Sequence, residues 1–278
     1  MKTYDFKRCR LIVADIDGTL VNSKKELTKR TIEAIQRLKD AGIEFALASG
    51  RPLDEVETLV ERWKLPEVFF TYYIGMNGGE LMDFHTGKSE SFFKMDPSHL
   101  KEILDLMSVF DVNPCIYHHG NVLCKTIDER VKYSISRTKK QAFEYKDVAE
   151  LYAEPNAKIL FRMDPAMMDE VEQYARQIPS QHWNVFRTGP FCLEFGDSRI
   201  NKAYPMHIIA ERYGFSVEDI VAFGDTSNDN EMIEEAGWGV CLVNGTEDTK
   251  QCADEITEFS DEEEGFADYV EKKILPFL

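Results

Sequence analysis

Two apolar runs that each end on an aspartate constrain this chain most: Leu11-Ile12-Val13-Ala14 leads into Asp15, and Ile220-Val221-Ala222-Phe223 leads into Gly224-Asp225. A short unbroken apolar run suits a strand buried on both faces, as in a parallel sheet covered by helices. Carboxylates at the ends of two such strands belong at the carboxyl edge of the sheet, where open α/β folds bind their ligands. The intervening pattern agrees. Thr28 is a plausible N-cap, Ile32, Ile35 and Leu38 mark one helical face, and Gly42 closes it. A strand at Ile43 to Ala48 follows, then a helix opened by Pro52 with Val56, Leu59, Val60 and Trp63 on one face. Alternating strands and helices predict an α/β sheet.

The rhythm changes after Phe69 to Ile74 and the turn Asn77-Gly78-Gly79. Glu80 to Phe84 with Glu90 to Lys94, and Pro114 to His118 with Val122 to Lys125 around Gly120-Asn121, read as antiparallel hairpins. Helices start at Asp96-Pro97 and Asp164-Pro165, and further strands lie near Lys158 to Met163, Trp183 to Phe186 and Phe191 to Phe195. From Asn201 the α/β rhythm resumes with a helix to about Tyr213 and a stop at Gly214. The expected organisation is an α/β core from residues 1–82 and 188–278, interrupted by an α+β unit over 83–187.

Composition narrows the function. With 33 Lys plus Arg against 50 Asp plus Glu, the net charge of −17 argues against a nucleic-acid partner or an anionic membrane surface. The sequence shows no apolar run long enough to span a bilayer, and Met1 to Arg10 lacks the hydrophobic stretch of an export signal. Six cysteines without CxxC spacing read as reduced thiols, so a cytoplasmic location is expected.

Asp15-Ile16-Asp17-Gly18-Thr19 follows the first strand directly, which is a rarer arrangement than an acidic turn that merely caps a strand. A calcium loop would use Asp15, Asp17, Thr19 and Glu26 at positions 1, 3, 5 and 12, but its position-6 glycine is Leu20 and its upstream flank is strand-like. Gly224-Asp225-Thr226-Ser227-Asn228-Asp229 repeats the theme after the later strand; alternatively it is a loop in which Asn228 or Asp229 caps a helix. Together the four aspartates could form an oxygen-rich site of the kind Mg²⁺ prefers. Ser49-Gly50-Arg51 ends the second strand before a helix, where a hydroxyl and backbone N–H groups can meet an anion. Lys202 opens another helix, an unfavourable place for a cation unless a negative partner is present.

These pieces in this order resemble the haloacid dehalogenase superfamily, and most closely its Cof-type phosphatases with a type IIB cap. LIVADIDGTL, ALASGR, RINKAYPMHIIAERYG and VAFGDTSNDNEMIEEAG look like the four family motifs, and IGMNGGELMD like the passage from core into cap. The resemblance implies a Rossmann-like parallel-sheet core with an inserted α+β cap, and a Mg²⁺-dependent phosphatase acting on a small phosphorylated metabolite. It implies that Asp15 is the nucleophile and Asp17 the general acid and base. Asp15, the backbone carbonyl of Asp17, and Asp225 would hold Mg²⁺ with Asp229 in support. Ser49, Gly50 and Lys202 would hold the phosphoryl group, and Asn228 would line the substrate phosphate. Two positions depart from the pattern: Ala203 replaces the usual glycine after the lysine, and Asn77-Gly78-Gly79 replaces Asn-Gly-Ala.

Sugar phosphates and phosphorylated cofactors are the expected substrates. The rival readings are a phosphomutase of the same cap type and a non-catalytic acidic metal-binding or phosphoacceptor module. Tyr117, His118, His119 and Arg187 could touch substrate from the middle unit, or be ordinary hairpin and surface residues.

Overall fold

The computed structural model describes residues 3–65, 69–136 and 138–278. It divides into two compact units, Met1–Glu90 with Asn201–Leu278, and Ser91–Ile200. In chain order the strands are β1 (Leu11–Asp15), β2 (Glu44–Ala48), β3 (Tyr72–Gly75), β4 (Glu80–Asp83), β5 (Lys88–Ser91), β6 (Asn113–His118) and β7 (Asn121–Cys124). They continue with β8 (Ala142–Glu144), β9 (Lys158–Arg162), β10 (Trp183–Arg187), β11 (Cys192–Asp197), β12 (Ile220–Gly224), β13 (Trp238–Cys241) and β14 (Glu255–Ile256).

The first unit holds an eight-stranded sheet in the order β14-β13-β12-β1-β2-β3-β4-β5. Strands β14 to β3 along this order are parallel, and β4 turns back antiparallel on β3. The two apolar runs are neighbours, with Leu11 opposite Ile220 and Ala14 opposite Phe223. From β1 the chain builds outward through β2 and β3, and on its return builds the other way through β12, β13 and β14. The order therefore reverses at β1 and β12, the place outside whose carboxyl ends open α/β sheets bind their ligands.

The helix Lys29–Asp40 starts where its sequence says, with the Thr28 side chain accepting from the Thr31 N–H. It buries Ala34, Ile35 and Leu38 in a core shared with Phe45, Phe223 and Phe266. Phe266, in the helix Gly265–Tyr269, meets Phe223 edge-on at 4.9 Å and Phe45 at 5.9 Å, fastening the C-terminal segment to the sheet.

The second unit holds a six-stranded sheet ordered β10-β11-β9-β6-β7-β8. One face packs Ile116, Ile159, Phe161 and Phe195 with the helices Pro97–Met107 and Met168–Arg176. The other carries Cys115, Cys124, Leu160 and Cys192, together with a buried Lys158–Glu194 ion pair at 2.8 Å. All six cysteines of the chain are free. The division lies further along the chain than residues 82/83 and 187/188. The β3–β4 ladder holds Glu80–Asp83 in the core sheet, and β11 pairs with both β9 and β10, which keeps Cys192–Asp197 in the inserted one. The second hairpin turns at His119-Gly120 rather than Gly120-Asn121; both residues have positive φ, 47° and 76°, as a two-residue type I′ turn requires. No helix among the described residues is long and apolar enough to cross a membrane.

Because Phe266 is buried against two other rings, Phe266→Ala should cost about 3–5 kcal/mol of stability, read as a lower urea midpoint. A midpoint unchanged from the parent would mean that the C-terminal helix does not hold the sheet.

Candidate active site

The reversal point brings the two acidic segments together. Asp15 is the last residue of β1, and Asp225 follows β12. Lys202, completely buried at the N-cap of the helix Ala203–Tyr213, places its Nζ 2.5 Å from Asp15 Oδ1 and 2.6 Å from Asp229 Oδ1. This explains a cation at a helix start, because two carboxylates offset the unfavourable dipole. Asp229 Oδ2 accepts from the N–H groups of Asp225 (3.0 Å) and Thr226 (3.2 Å), so both of its oxygens are engaged by the protein. Asp225 Oδ1 accepts from Thr19 Oγ1 at 3.0 Å.

Two glycines make this crowding possible. Gly18 has φ +92° and lies against the Asp225 carboxylate, so any side chain would collide with it. At Gly224 a Cβ would stand 2.5 Å from that of Asp229. Ala203 sits buried in the first turn of a helix and accommodates its methyl group there.

Asp17 faces different partners. Arg51 Nη2 lies 2.7 Å from Oδ2 and Lys25 Nζ 2.8 Å from Oδ1. Ser49 follows Ala48, the register partner of Asp15, and is therefore at the adjacent strand end. It is buried, and its Oγ accepts from the Arg51 N–H at 3.2 Å. Gly50 lies against the side-chain amide of Asn77. Asn77 is buried with φ +56°; its N–H donates to the Ser49 carbonyl at 3.0 Å, and its Oδ1 accepts from Asn228 Nδ2 at 3.2 Å. Asn77 thus ties the second acidic loop to the Ser49 turn. In the sequence Asn77 lies in a turn, Thr19 inside a motif and Arg51 in a short string, and none of these positions reveals its side chain's partner. Lys25 carried no signal, since its contact with Asp17 arises from the loop between β1 and the first helix.

The electrostatics are those of a cluster short of positive charge. Burial, opposed by Lys202 and reinforced by Asp229, pushes Asp15 up to about 7. Burial and the neighbouring Asp15 and Asp229 push Asp225 up to about 8. Lys202 is held protonated because its two carboxylates outweigh the cost of burial. For Asp17 burial acts upward, but Arg51 and Lys25 together pull its carboxyl below the ordinary value. Asp15, Asp225 and Asp229 present oxygens within 4.8 Å of one another, an arrangement that could hold a metal ion.

Known proteins resemble this chain over most of its length. The family model for haloacid dehalogenase-like hydrolases matches residues 12–270. The chain is 28% identical over 278 residues to the 5-amino-6-(5-phospho-D-ribitylamino)uracil phosphatase YitU of Bacillus subtilis, covering 94% of this chain and 96% of that one. A haloacid dehalogenase-like hydrolase from Bacteroides thetaiotaomicron superposes with TM-score 0.79 at 30% identity, covering 95% of this chain and 99% of its own. A HAD subclass IIB sugar phosphatase shares the fold, with TM-score 0.78 at 20% identity over 96% of this chain and 99% of its own.

A carboxyl whose pKa is higher in the folded than in the unfolded chain stabilises the fold below its unfolded value of roughly 4 and loses that contribution as the pH rises through its folded value. For Asp15 and Asp225 that window runs from there to about 7 and 8. Metal-free protein should therefore lose melting temperature between pH 5 and pH 8, and added Mg²⁺ should restore more of it at pH 8 than at pH 5. An equal Mg²⁺ effect at both pH values, by thermal scanning, would contradict a cation-deficient cluster.

Proposed function

The chain belongs to the haloacid dehalogenase-like hydrolases, and from that premise we propose that it is a Mg²⁺-dependent phosphatase of small phosphomonoesters that works through an aspartyl phosphate on Asp15. The observation that carries this reading is the buried Asp15–Lys202–Asp229 bridge beside Asp225 at the strand-order reversal. An all-oxygen donor set, crowded and short of positive charge, fits Mg²⁺. Asp15, the main-chain carbonyl of Asp17, and Asp225 would hold the ion, and Asp229, its oxygens occupied, braces Lys202 and the Asp225 loop. When bound, the cation offsets negative charge that builds on the transferring phosphoryl group.

The chain's own groups perform the rest. The Asp15 carboxylate attacks phosphorus in line, and the bond to the leaving oxygen breaks. Asp17 gives that oxygen a proton, then takes one from the water that attacks the aspartyl phosphate, so inorganic phosphate leaves and Asp15 is regenerated. Arg51 and Lys25 hold Asp17 as a carboxylate in the resting site; before the first step the arriving substrate displaces this pairing and Asp17 takes up a proton from solvent, which it gives to the leaving oxygen and regains from water in the second step. An ammonium has three donors. Two of those on Lys202 face Asp15 and Asp229, leaving one for a phosphoryl oxygen. Ser49 and the amide of Gly50 add neutral donors, and Asn228, held by Asn77, lines the substrate phosphate.

The inserted unit acts as a cap that sets the substrate. YitU's name supports a phosphoribitylaminouracil or a similar small phosphomonoester, and the subclass IIB relative supports sugar phosphates. A phosphomutase would need a second cationic phosphate pocket. Several of the insert's cations are instead committed to its own carboxylates, Arg130 to Asp128 and Asp164, Lys158 to Glu194, and Arg187 to Asp169 and Glu172, while buried Arg162 donates from Nε to Ser134 Oγ. That pairing of Arg187 also argues against its use as a substrate contact.

A panel containing 5-amino-6-(5-phospho-D-ribitylamino)uracil, flavin mononucleotide, pyridoxal phosphate and hexose phosphates, assayed with Mg²⁺, should release free phosphate from at least one without any added bisphosphate. Isomerisation that depends on a sugar bisphosphate, with little phosphate released, would overturn the phosphatase reading. Asp17→Asn should lose activity far more on an alkyl phosphate than on an activated aryl phosphate, whose leaving oxygen needs little protonation. Equal losses on the two would remove Asp17 as the acid.

A further inference from the structure

The described residues contain a second cluster of metal-ligating groups, within the inserted unit. It consists of His118 at the end of β6, His119 in the two-residue turn and Glu154 on the segment leading to β9. Their donor atoms all lie within 4.8 Å of one another. His118 Nδ1 is enclosed, makes no hydrogen bond and stands 3.4 Å from Glu154 Oε1; His119 Nε2 is 4.0 Å from the same oxygen. The imidazole rings are 4.1 Å apart. Two donors about 2.0–2.1 Å from a tetrahedral Zn²⁺ are themselves about 3.4 Å apart. The first pair already has that spacing, and the exposed His119 can close the second.

The scaffold keeps the three groups together. Asn156, two residues beyond Glu154, donates from Nδ2 to the Tyr117 carbonyl at 2.8 Å and exchanges backbone hydrogen bonds with Met95. Asn121 Nδ2 donates to the His119 carbonyl at 3.2 Å, closing the turn. His119 takes φ +47°, a conformation in which histidine is enriched but most side chains are disfavoured, and this sets its ring beside that of His118. Lys140 and Lys158 each lie 5.5 Å from the Tyr117 ring. Strand alternation turns Tyr117 to the opposite face from His118, which keeps those cations off the cluster.

We propose that His118, His119 and Glu154 form a binding site for a borderline transition-metal dication such as Zn²⁺, distinct in donor chemistry from the all-oxygen carboxylate cluster of the core. Two imidazoles and one carboxylate select such ions over Mg²⁺ and leave a coordination position open. Metal-free protein in excess Mg²⁺, which occupies the core carboxylates, is titrated with Zn²⁺ in a calorimeter. A single Zn²⁺ should bind per chain, and His118→Gln, His119→Asn and Glu154→Gln should each weaken it by about tenfold or more, whereas Asp225→Asn leaves it unchanged. His119 is exposed and asparagine tolerates its backbone conformation, so that variant keeps the fold while removing a ligand. Absence of Zn²⁺ binding, binding unaffected by all three substitutions, or binding lost only with Asp225→Asn would overturn the proposal.

Discussion

A lysine ammonium buried between two aspartates is the interaction on which the rest of the core depends. Removing such charges from water costs on the order of several kcal/mol per ion, and a well-packed apolar replacement is often at least as stable. The Lys202 bridge to Asp15 and Asp229 is therefore poorly explained as a stabilising device. It fixes the orientation of Asp15, ties the Asp225 loop to it through Asp229, and leaves a cluster that accepts further positive charge. The local peculiarities follow: bare glycines at 18 and 224, a lysine at a helix start, and Asn77 locked in a left-handed turn. In a chain with net charge −17, one lysine among three aspartates leaves this cluster short of positive charge, so under the proposed function a cation must add to Lys202 before an anionic phosphoryl group can sit there.

Much of this was legible in the sequence, for identifiable reasons. Continuous apolar runs exist only where a strand is covered on both faces, so β1 and β12 announced themselves, and their terminal aspartates could only lie at the sheet edge. Helix caps at Thr28 and Gly214 were readable because capping depends on the residue itself. The boundaries of the insert were less readable. A hairpin strand such as Glu80–Asp83 has the same local pattern whichever sheet it joins, and only its partner β3 decides. The same limit applied in the site. Asp15, Asp17, Asp225 and Asp229 were marked by spacing, whereas the Lys25 and Arg51 contacts to Asp17 come from loops whose course depends on tertiary packing.

The two carboxylates of the first motif are differentiated by their surroundings. Asp15 is enclosed and shares a lysine; Asp17 is partly exposed and paired with an arginine and a second lysine. Under the proposed mechanism one position would serve a fixed nucleophile and the other a group that exchanges partners during a cycle, the separation of environments by which a pair of like residues can take unlike roles.

That assignment is tested most directly by trapping the covalent species. A substrate found active should be mixed with the enzyme, quenched in acid within the first turnover, digested and mapped by mass spectrometry. One phosphoryl group should appear on the peptide that contains Asp15, at Asp15 itself, and it should be absent from Asp15→Asn. Phosphate release with no labelled peptide at any quench time, or a label on another residue, would contradict the account.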